Sequence, residues 1–352
     1  MTPCGPFVQQ LGPTLVQGHE PIFLNGINLA WVRWGKDFVE KDAISFCAIE
    51  EAMRFVVLHG GNALRIWIFS DPGSSLLWND DWRVTGLHDG VIPIGRGLLE
   101  LATHYQVRLV FTLFNGALAR GRRDCGLFSI GDIVDTLVRN AIRPLAIAFR
   151  GYESLAMWEV ANEIEGLLSP STAMGPAITC PGPHNTAGWS GSCRIPIVTL
   201  QRFINQVAAA IKEVDPNHLL TLGAWSFCST ADLAGLHASN MWTAERLRKA
   251  GGKVRGFIDV WQIHSYPKES NGREFHAGSP ALQSRQRYNL SGPVLIGEIS
   301  NVCELDLNPR APCNEYVGAL TRLANSGCPR AAQESTLIDS RSSSGGLRSQ
   351  AA

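Results

Sequence analysis

The sequence predicts an α/β fold of the (β/α)8 barrel type. The first observation is alternation: seven short apolar strands are each followed by helical or connecting sequence, as parallel β/α units require. The second is length, since 352 residues suit one such barrel. The third is where acidic residues fall. The apolar stretch from Ser154 stops abruptly at Asn162-Glu163, and Pro293-Val294-Leu295-Ile296-Gly297 stops at Glu298. Barrel enzymes keep their chemistry at the carboxyl ends of strands. An open doubly wound sheet is the alternative, but it would usually show a Gly-rich phosphate turn after its first strand. Ile27-Asn28-Leu29-Ala30-Trp31 is not one.

Residues 7–25 read as a small antiparallel lead-in with turns at Gly12-Pro13 and Gln17 to Glu20. Strand one, 22–30, ends near Trp31 and Trp34. The spacing of Phe46, Ile49, Met53 and Val56 or Val57 predicts a helix over 42–59, stopped by Gly60-Gly61. Cys47 reads as buried on that helix. Strand two, 63–69, is nearly all apolar, as a strand covered on both faces should be. Arg65 interrupts it and requires an anionic partner. A helix over 94–104 and strand three over 107–114 follow, then a helix over 132–149 and strand four over 155–163. A Gly/Pro-rich loop of about 30 residues comes next, and a loop that long is usually functional. A helix around 200–211, strand five (219–225), a helical piece (241–251), strand six (257–266), a weak helix near 280–288, strand seven (294–298) and a helix over 314–324 complete the pattern. Residues 1–327 are expected to form one barrel domain. The stretch 328–352 is biased to Ser, Arg and Ala, has no strand-length apolar run, and is expected to be disordered. On this reading the eighth strand is absent.

Charge is balanced, 31 basic against 31 acidic residues, which implies neither nucleic acid nor an anionic membrane as partner. No apolar run is long enough to span a membrane, and the first twenty residues lack the pattern of a signal peptide. Ten tryptophans are many for this length and suit a protein that stacks on sugar rings. Among nine cysteines, the local pairs Cys180–Cys193 and Cys303–Cys313 are candidate loop-closing disulfides, which would mean an oxidising compartment. No Cys-x-x-Cys or His-x-x-x-His spacing occurs, so no zinc site is expected. Asn289-Leu290-Ser291 is the one glycosylation sequon.

Two carboxylates at the ends of opposed barrel strands are what retaining glycoside hydrolysis needs, one as nucleophile and one as acid then base. Glu163 and Glu298 are the candidates. Arg65 is placed to hold Glu298 ionised. His264 and Tyr266, two apart on strand six, face the same side. Asn162 is a candidate for the sugar 2-hydroxyl. Trp31, Trp67, Trp189 and Trp225, near strand ends or in the long loop, are candidate floors for sugar subsites, and Asn115 joins the substrate-binding set.

These residues carry a family resemblance. The segments Leu24 to Val32, His59 to Trp67, Val84 to Gly86, Thr112 to Gly116, Trp158 to Gly166, Ala208 to Pro216, Lys249 to Lys253, Gln262 to Tyr266 and Val294 to Glu298 occur in order over about residues 20–300. With them the chain resembles glycoside hydrolase family 5, and within it the β-1,4-mannanases of molluscs and other invertebrates. The resemblance implies that Glu163 is the acid/base and Glu298 the nucleophile, with Arg65, Asn162, His264 and Tyr266 on active-site positions. It further implies an extracellular enzyme, a polysaccharide substrate, a monomer and no cofactor. Three departures stand out. Ile164 replaces the usual Pro after Asn-Glu. Phe114 replaces a Trp before Asn115-Gly116. Nothing matches the eighth-strand Trp that floors the central subsite. The expected activity is endo-β-1,4-mannanase. The alternatives are hydrolysis of another β-glucan or a non-catalytic product of such a gene.

Overall fold

The structure, a computed structural model, describes residues 5–40, 43–116, 119, 121–169, 188, 193–233, 238–266, 276–299 and the backbone of 334–339. Eight parallel strands form a closed ring. In chain order they are β4 (Asn25–Asn28), β5 (Ala63–Phe69), β8 (Arg108–Asn115), β9 (Leu155–Asn162), β10 (Leu219–Ala224), β11 (Val260–Ser265), β12 (Val294–Ile299) and β13 (Glu334–Asp339). The first seven are the predicted strands, most of them trimmed at their ends; β4 keeps only four of its nine predicted residues.

The eighth strand corrects the sequence reading. Glu334–Asp339 pairs in parallel with β12, Val294 opposite Glu334, and with β4, Asn25 opposite Thr336. The position between the seventh strand and the first is occupied by these six residues, which the sequence reading placed in a disordered tail. Glu-Ser-Thr-Leu-Ile-Asp shows too few apolar residues to be legible as a barrel strand. Its backbone nonetheless supplies the donors and acceptors that β4 and β12 would otherwise lack.

Outside the ring lie α1 (Ala43–Leu58), α3 (Val91–Tyr105), α4 (Gly121–Ser129), α5 (Gly131–Leu137), α6 (Arg143–Phe149), α7 (Ile197–Val214) and α9 (Ala244–Gly251), with the short helices α2 (Pro72–Ser75) and α8 (Phe227–Thr230). The predicted helix over 132–149 is α5 and α6 joined by a π-helical turn at Val138–Ile142. The hairpin β6 (Leu76–Trp78) and β7 (Val84–Leu87) was not anticipated. Predicted helix 314–324 lies outside the described residues.

The ring's interior is layered. At the bottom, Ala63, Val110, Met157, Val260 and Leu295 pack with Val8 and Leu15 of the predicted lead-in, in which β1 (Val8–Leu11), β2 (Thr14–Gln17) and the two-residue β3 (Glu20–Pro21) pair antiparallel and plug the barrel. The middle layer is polar: Arg65, Thr112, Glu159, Thr221 and Gln262 are all buried. The bulk of the apolar core lies between strands and helices, where Leu64, Ile66, Phe111, Trp158, Phe149 and Phe203 are fully covered.

The disulfide expectation is also corrected. Cys193 bonds to Cys125, 68 residues away in sequence and 5.2 Å away between Cα atoms, so it is not paired with Cys180. Cys228 is disulfide-bonded as well. Cys180, Cys303 and Cys313 lie outside the described residues. Cys47 is exposed, not buried, because Ser45, Ile49, Met53 and Val56 form the covered stripe of α1 and residue 47 points away from it.

Two predictions follow from this frame. Deleting residues 334–352 should strip partners from both β4 and β12 and open the ring at Leu295 and Ile299. Each large apolar side chain exposed should remove roughly 1.5–3 kcal/mol, and thermal unfolding of the truncated chain should show a clearly lower midpoint. The second concerns Asp215, which follows α7 and accepts hydrogen bonds from Trp158 Nε1 (2.9 Å) and His218 Nδ1 (2.7 Å). Burial pushes its carboxyl up, but His218 and Trp158 pull it further down, so the net direction is below the ordinary 3.8. A depressed carboxyl stabilises the fold above its unfolded pKa, and that stabilisation is lost as pH falls through the folded value. An Asp215→Asn variant should therefore be less stable at pH 7 by about 1–3 kcal/mol. In urea titrations its deficit against the parent should shrink below pH 3.8.

Candidate active site

The site is built around the guanidinium of Arg65, which points inward from the middle of β5 and is fully buried. All five of its N–H groups are used. Nε and one Nη2 hydrogen go to the two oxygens of Glu159, both at 2.6 Å. The other Nη2 hydrogen goes to Asn162 Oδ1 at 2.7 Å. Nη1 donates to Asn28 Oδ1 (3.0 Å) and Glu298 Oε1 (2.8 Å). Burial alone would push Arg65 down, but the adjacent Glu159 and Glu298 more than reverse this, so its proton is held more tightly than usual.

Glu159 is the partner that the sequence reading missed. It is fully buried and also accepts from Thr112 Oγ1 (2.9 Å) and Gln262 Nε2 (3.1 Å). No Cβ could stand at Gly223 of the neighbouring strand, where it would lie 2.3 Å from the Glu159 carboxylate. Glu159 and Asn162 are three residues apart, which strict alternation would place on opposite faces. A bulge resolves this: Thr221 pairs with Glu159 but Gly223 with Asn162, so β9 carries one extra residue. A second bulge in β12 does the same, with Ile263 opposite Ile296 but His264 opposite Glu298.

Past Asn162 the chain turns sharply. Glu163 sits in the left-handed region, φ 44° and ψ 47°, a conformation unusual for a residue with a side chain. Its N–H donates to Gly223 O at 2.6 Å. On the other side Gly116 lets the chain pass close, since a Cβ there would meet Ile164 Cα at 2.4 Å. The Asn115-Gly116 pair and the Ile164 departure therefore meet directly.

The Glu163 carboxylate, partly exposed, accepts a hydrogen bond from His264 Nδ1 at 2.9 Å. His264 Nε2 lies 3.2 Å from the Gln262 amide nitrogen. Burial pushes His264 down, while Glu298 and Glu163 pull it above its ordinary value and Arg65 opposes them. Glu298 Oε2 accepts from the Tyr266 hydroxyl and lies 3.6 Å from His264 Nδ1. One carboxylate oxygen of Glu163 and one of Glu298 lie within 4.8 Å of each other and of His264 Nδ1. Among the described residues this trio is the grouping of side chains that could hold a metal ion. Its atoms already bond one another and Tyr266, with Arg65 alongside.

The six sequence-predicted catalytic residues thus converge at one end of the ring. Asn115 joins them, 3.4 Å from Asn162 Nδ2. Trp67 is only 3% exposed, with the Arg65 guanidinium 5.6 Å from its ring. Trp31 is half-buried, 5.1 Å from Trp67 and 4.9 Å from the exposed Trp34. Trp225 is buried just past β10. Trp189 lies outside the described residues.

A scan against models of known protein families returned no match. Individual proteins do match. The chain is 32% identical over 331 residues to a mannan endo-1,4-beta-mannosidase of Cryptopygus antarcticus, covering 91% of this chain and 85% of that protein. It is 31% identical over 288 residues to a mannan endo-1,4-beta-mannosidase of Mytilus edulis, covering 80% of this chain and 77% of that one. The crystal structure of beta-1,4-D-mannanase from Cryptopygus antarcticus superposes with a TM-score of 0.82 at 28% identity, over 97% of this chain and 90% of the other. Identity at this level, over most of both chains and with the barrel shared, means that the chain belongs to the mannan endo-1,4-β-mannosidase family.

Proposed function

We propose that this chain is a retaining endo-β-1,4-mannanase, with Glu163 as acid/base and Glu298 as nucleophile. The observation that carries the reading is the pair of carboxylates within 4.8 Å at one mouth of the ring. Retaining enzymes hold them at about 5–5.5 Å, whereas inverting enzymes leave room for a water. Their surroundings divide the labour. Glu298 is flanked by Arg65 and Tyr266, which favour the ionised form a nucleophile needs. Glu163 is partly exposed and oriented by His264.

The reaction then runs in two displacements. Glu298 attacks the anomeric carbon while Glu163 gives its proton to the glycosidic oxygen, so the C–O bond breaks and the leaving sugar departs neutral. A glycosyl ester on Glu298 remains. Water gives a proton to Glu163 and attacks the same carbon, releasing Glu298 as carboxylate with the anomeric configuration retained. Asn162 Oδ1 is held by Arg65, and its amide nitrogen faces the sugar 2-hydroxyl. Half-buried Trp31 contributes aromatic surface and Asn115 a polar contact, while Trp67 and Trp225, buried in this structure, back the site.

The mannan preference rests on the named relatives. The enzyme is proposed to act as a monomer on a polysaccharide in an extracellular setting. The Cys125–Cys193 bond supports an oxidising compartment, and no helix among the described residues is long and apolar enough to cross a membrane.

The test combines substrate and mechanism. The chain should release manno-oligosaccharides from mannan; release from cellulose-type glucan instead would sink the mannan reading. Glu298→Ala should lose on the order of 10⁴-fold or more in kcat. Glu163→Ala should lose about 10²–10⁴-fold on mannan. With azide and a dinitrophenyl β-mannobioside, Glu163→Ala should form the β-azide and Glu298→Ala the α-azide, read by NMR. The reverse assignment would exchange the two roles.

A further inference from the structure

Two residues beyond Glu163 lies a further carboxyl, Glu165, which is fully buried. It belongs to a 3-10 turn, Ile164–Leu167, that follows the left-handed Glu163. One of its oxygens accepts from Ser229 Oγ at 2.6 Å and from Trp242 Nε1 at 2.9 Å. The other has no hydrogen-bond partner among the described residues. Ser229 is in α8, directly after β10, and Trp242 immediately precedes the Thr243 cap of α9. The backbone of the same region is tied in parallel, Met241 N donating to Ser229 O at 2.8 Å and Gly188 N to Glu165 O at 2.8 Å.

A buried carboxylate without a cation is expensive unless it keeps its proton. Burial pushes the Glu165 carboxyl up, Ser229 and Trp242 hold it down, and the Glu163 carboxylate pushes it up again, with a net rise. Glu165 thus serves as a buried acceptor joining three chain segments. An apolar residue would leave the Trp242 donor buried and unmet, and Ser229 Oγ would fall back on its longer 3.3 Å contact with Ser226 O.

We infer that Glu165 is a positioning residue for Glu163: its clamp on Ser229 and Trp242 fixes the turn that holds the acid/base carboxyl in reach of the departing oxygen. Glu163 needs such a clamp because its backbone occupies a strained region that persists only where neighbours over-determine it. The inference rests on Glu163 being the acid/base. Proton delivery requires hydrogen-bond distance, and it matters for a sugar leaving group but hardly for dinitrophenolate, which departs without a proton. Misplacing the acid therefore has a signature that general loosening lacks.

The experiment compares mannopentaose with a dinitrophenyl β-mannobioside. Glu165→Ala should lose about 30–100-fold in kcat on mannopentaose, with KM little changed, and less than about 3-fold on the aryl glycoside. Glu165→Gln keeps the acceptor oxygen and should stay within about 3-fold on both substrates with an unchanged pH profile. Ser229→Ala removes one of the two donors without touching Glu165 and should show the same selective loss, smaller in size, even where Glu165→Ala fails to fold. Equal losses on both substrates in both alanine variants, or no loss in either, would overturn the proposal. So would a displaced alkaline limb in Glu165→Gln, which would assign the effect to charge. Glu163→Gln separates the two layers. A selective loss there with none at residue 165 sinks only the clamp, whereas an unselective loss there sinks the acid/base reading as well.

Discussion

The structure depends on one buried cation and the carboxylate that neutralises it. Arg65 and Glu159, on strands either side of β8, meet inside the ring through paired 2.6 Å hydrogen bonds, both fully out of water. Such a pair contributes little net stability, because desolvation offsets the attraction, but losing one member leaves the other charge stranded. Its value here is geometric. Glu159 takes two of the five donors, and the remaining three reach Asn28, Asn162 and Glu298. One planar group thus sets the relative positions of β4, β5, β9 and β12. A polar middle layer cannot also be the hydrophobic core, which is why the apolar bulk lies between strands and helices and the bottom is plugged by Val8 and Leu15.

Much of this arrangement was legible in the sequence. Strands covered on both faces read as unbroken apolar runs, and the seven that did so are the ring's first seven. Arg65 stood out because nothing else charged interrupts strand two, and it was right to demand an anion for it. The anion it binds twice was harder to see. Glu159 sits in a stretch whose obvious ending, Asn162-Glu163, draws attention away, and period-two reasoning separates it from Asn162. Only the extra residue in β9 brings both inward, and bulges leave no mark in composition. Glu298 is displaced by a similar extra residue in β12, but its place at a strand end made it visible anyway.

Where the reading failed, local cues stood in for spatial ones. Cys180 and Cys193 are near in sequence, yet the sulfur that meets Cys193 comes from α4, more than two elements earlier. Residues 334–339 carry a composition suited to a solvated segment. A strand that closes a ring already set by seven others can be polar, because its backbone ladder on both sides is specified by its neighbours.

The Cys125–Cys193 bond spans β9 and with it Glu159, Asn162 and Glu163. Any peptide bond cut between those two cysteines leaves the chain covalently continuous. The severed halves stay attached through sulfur, and the ends have little freedom to drift apart. On a gel run without reductant a nicked molecule would migrate as one piece and separate only when thiol is added. Of the site's three carboxylates, only Glu298 lies outside the tethered loop, so a single cut within the loop leaves a gap in the backbone without releasing either half.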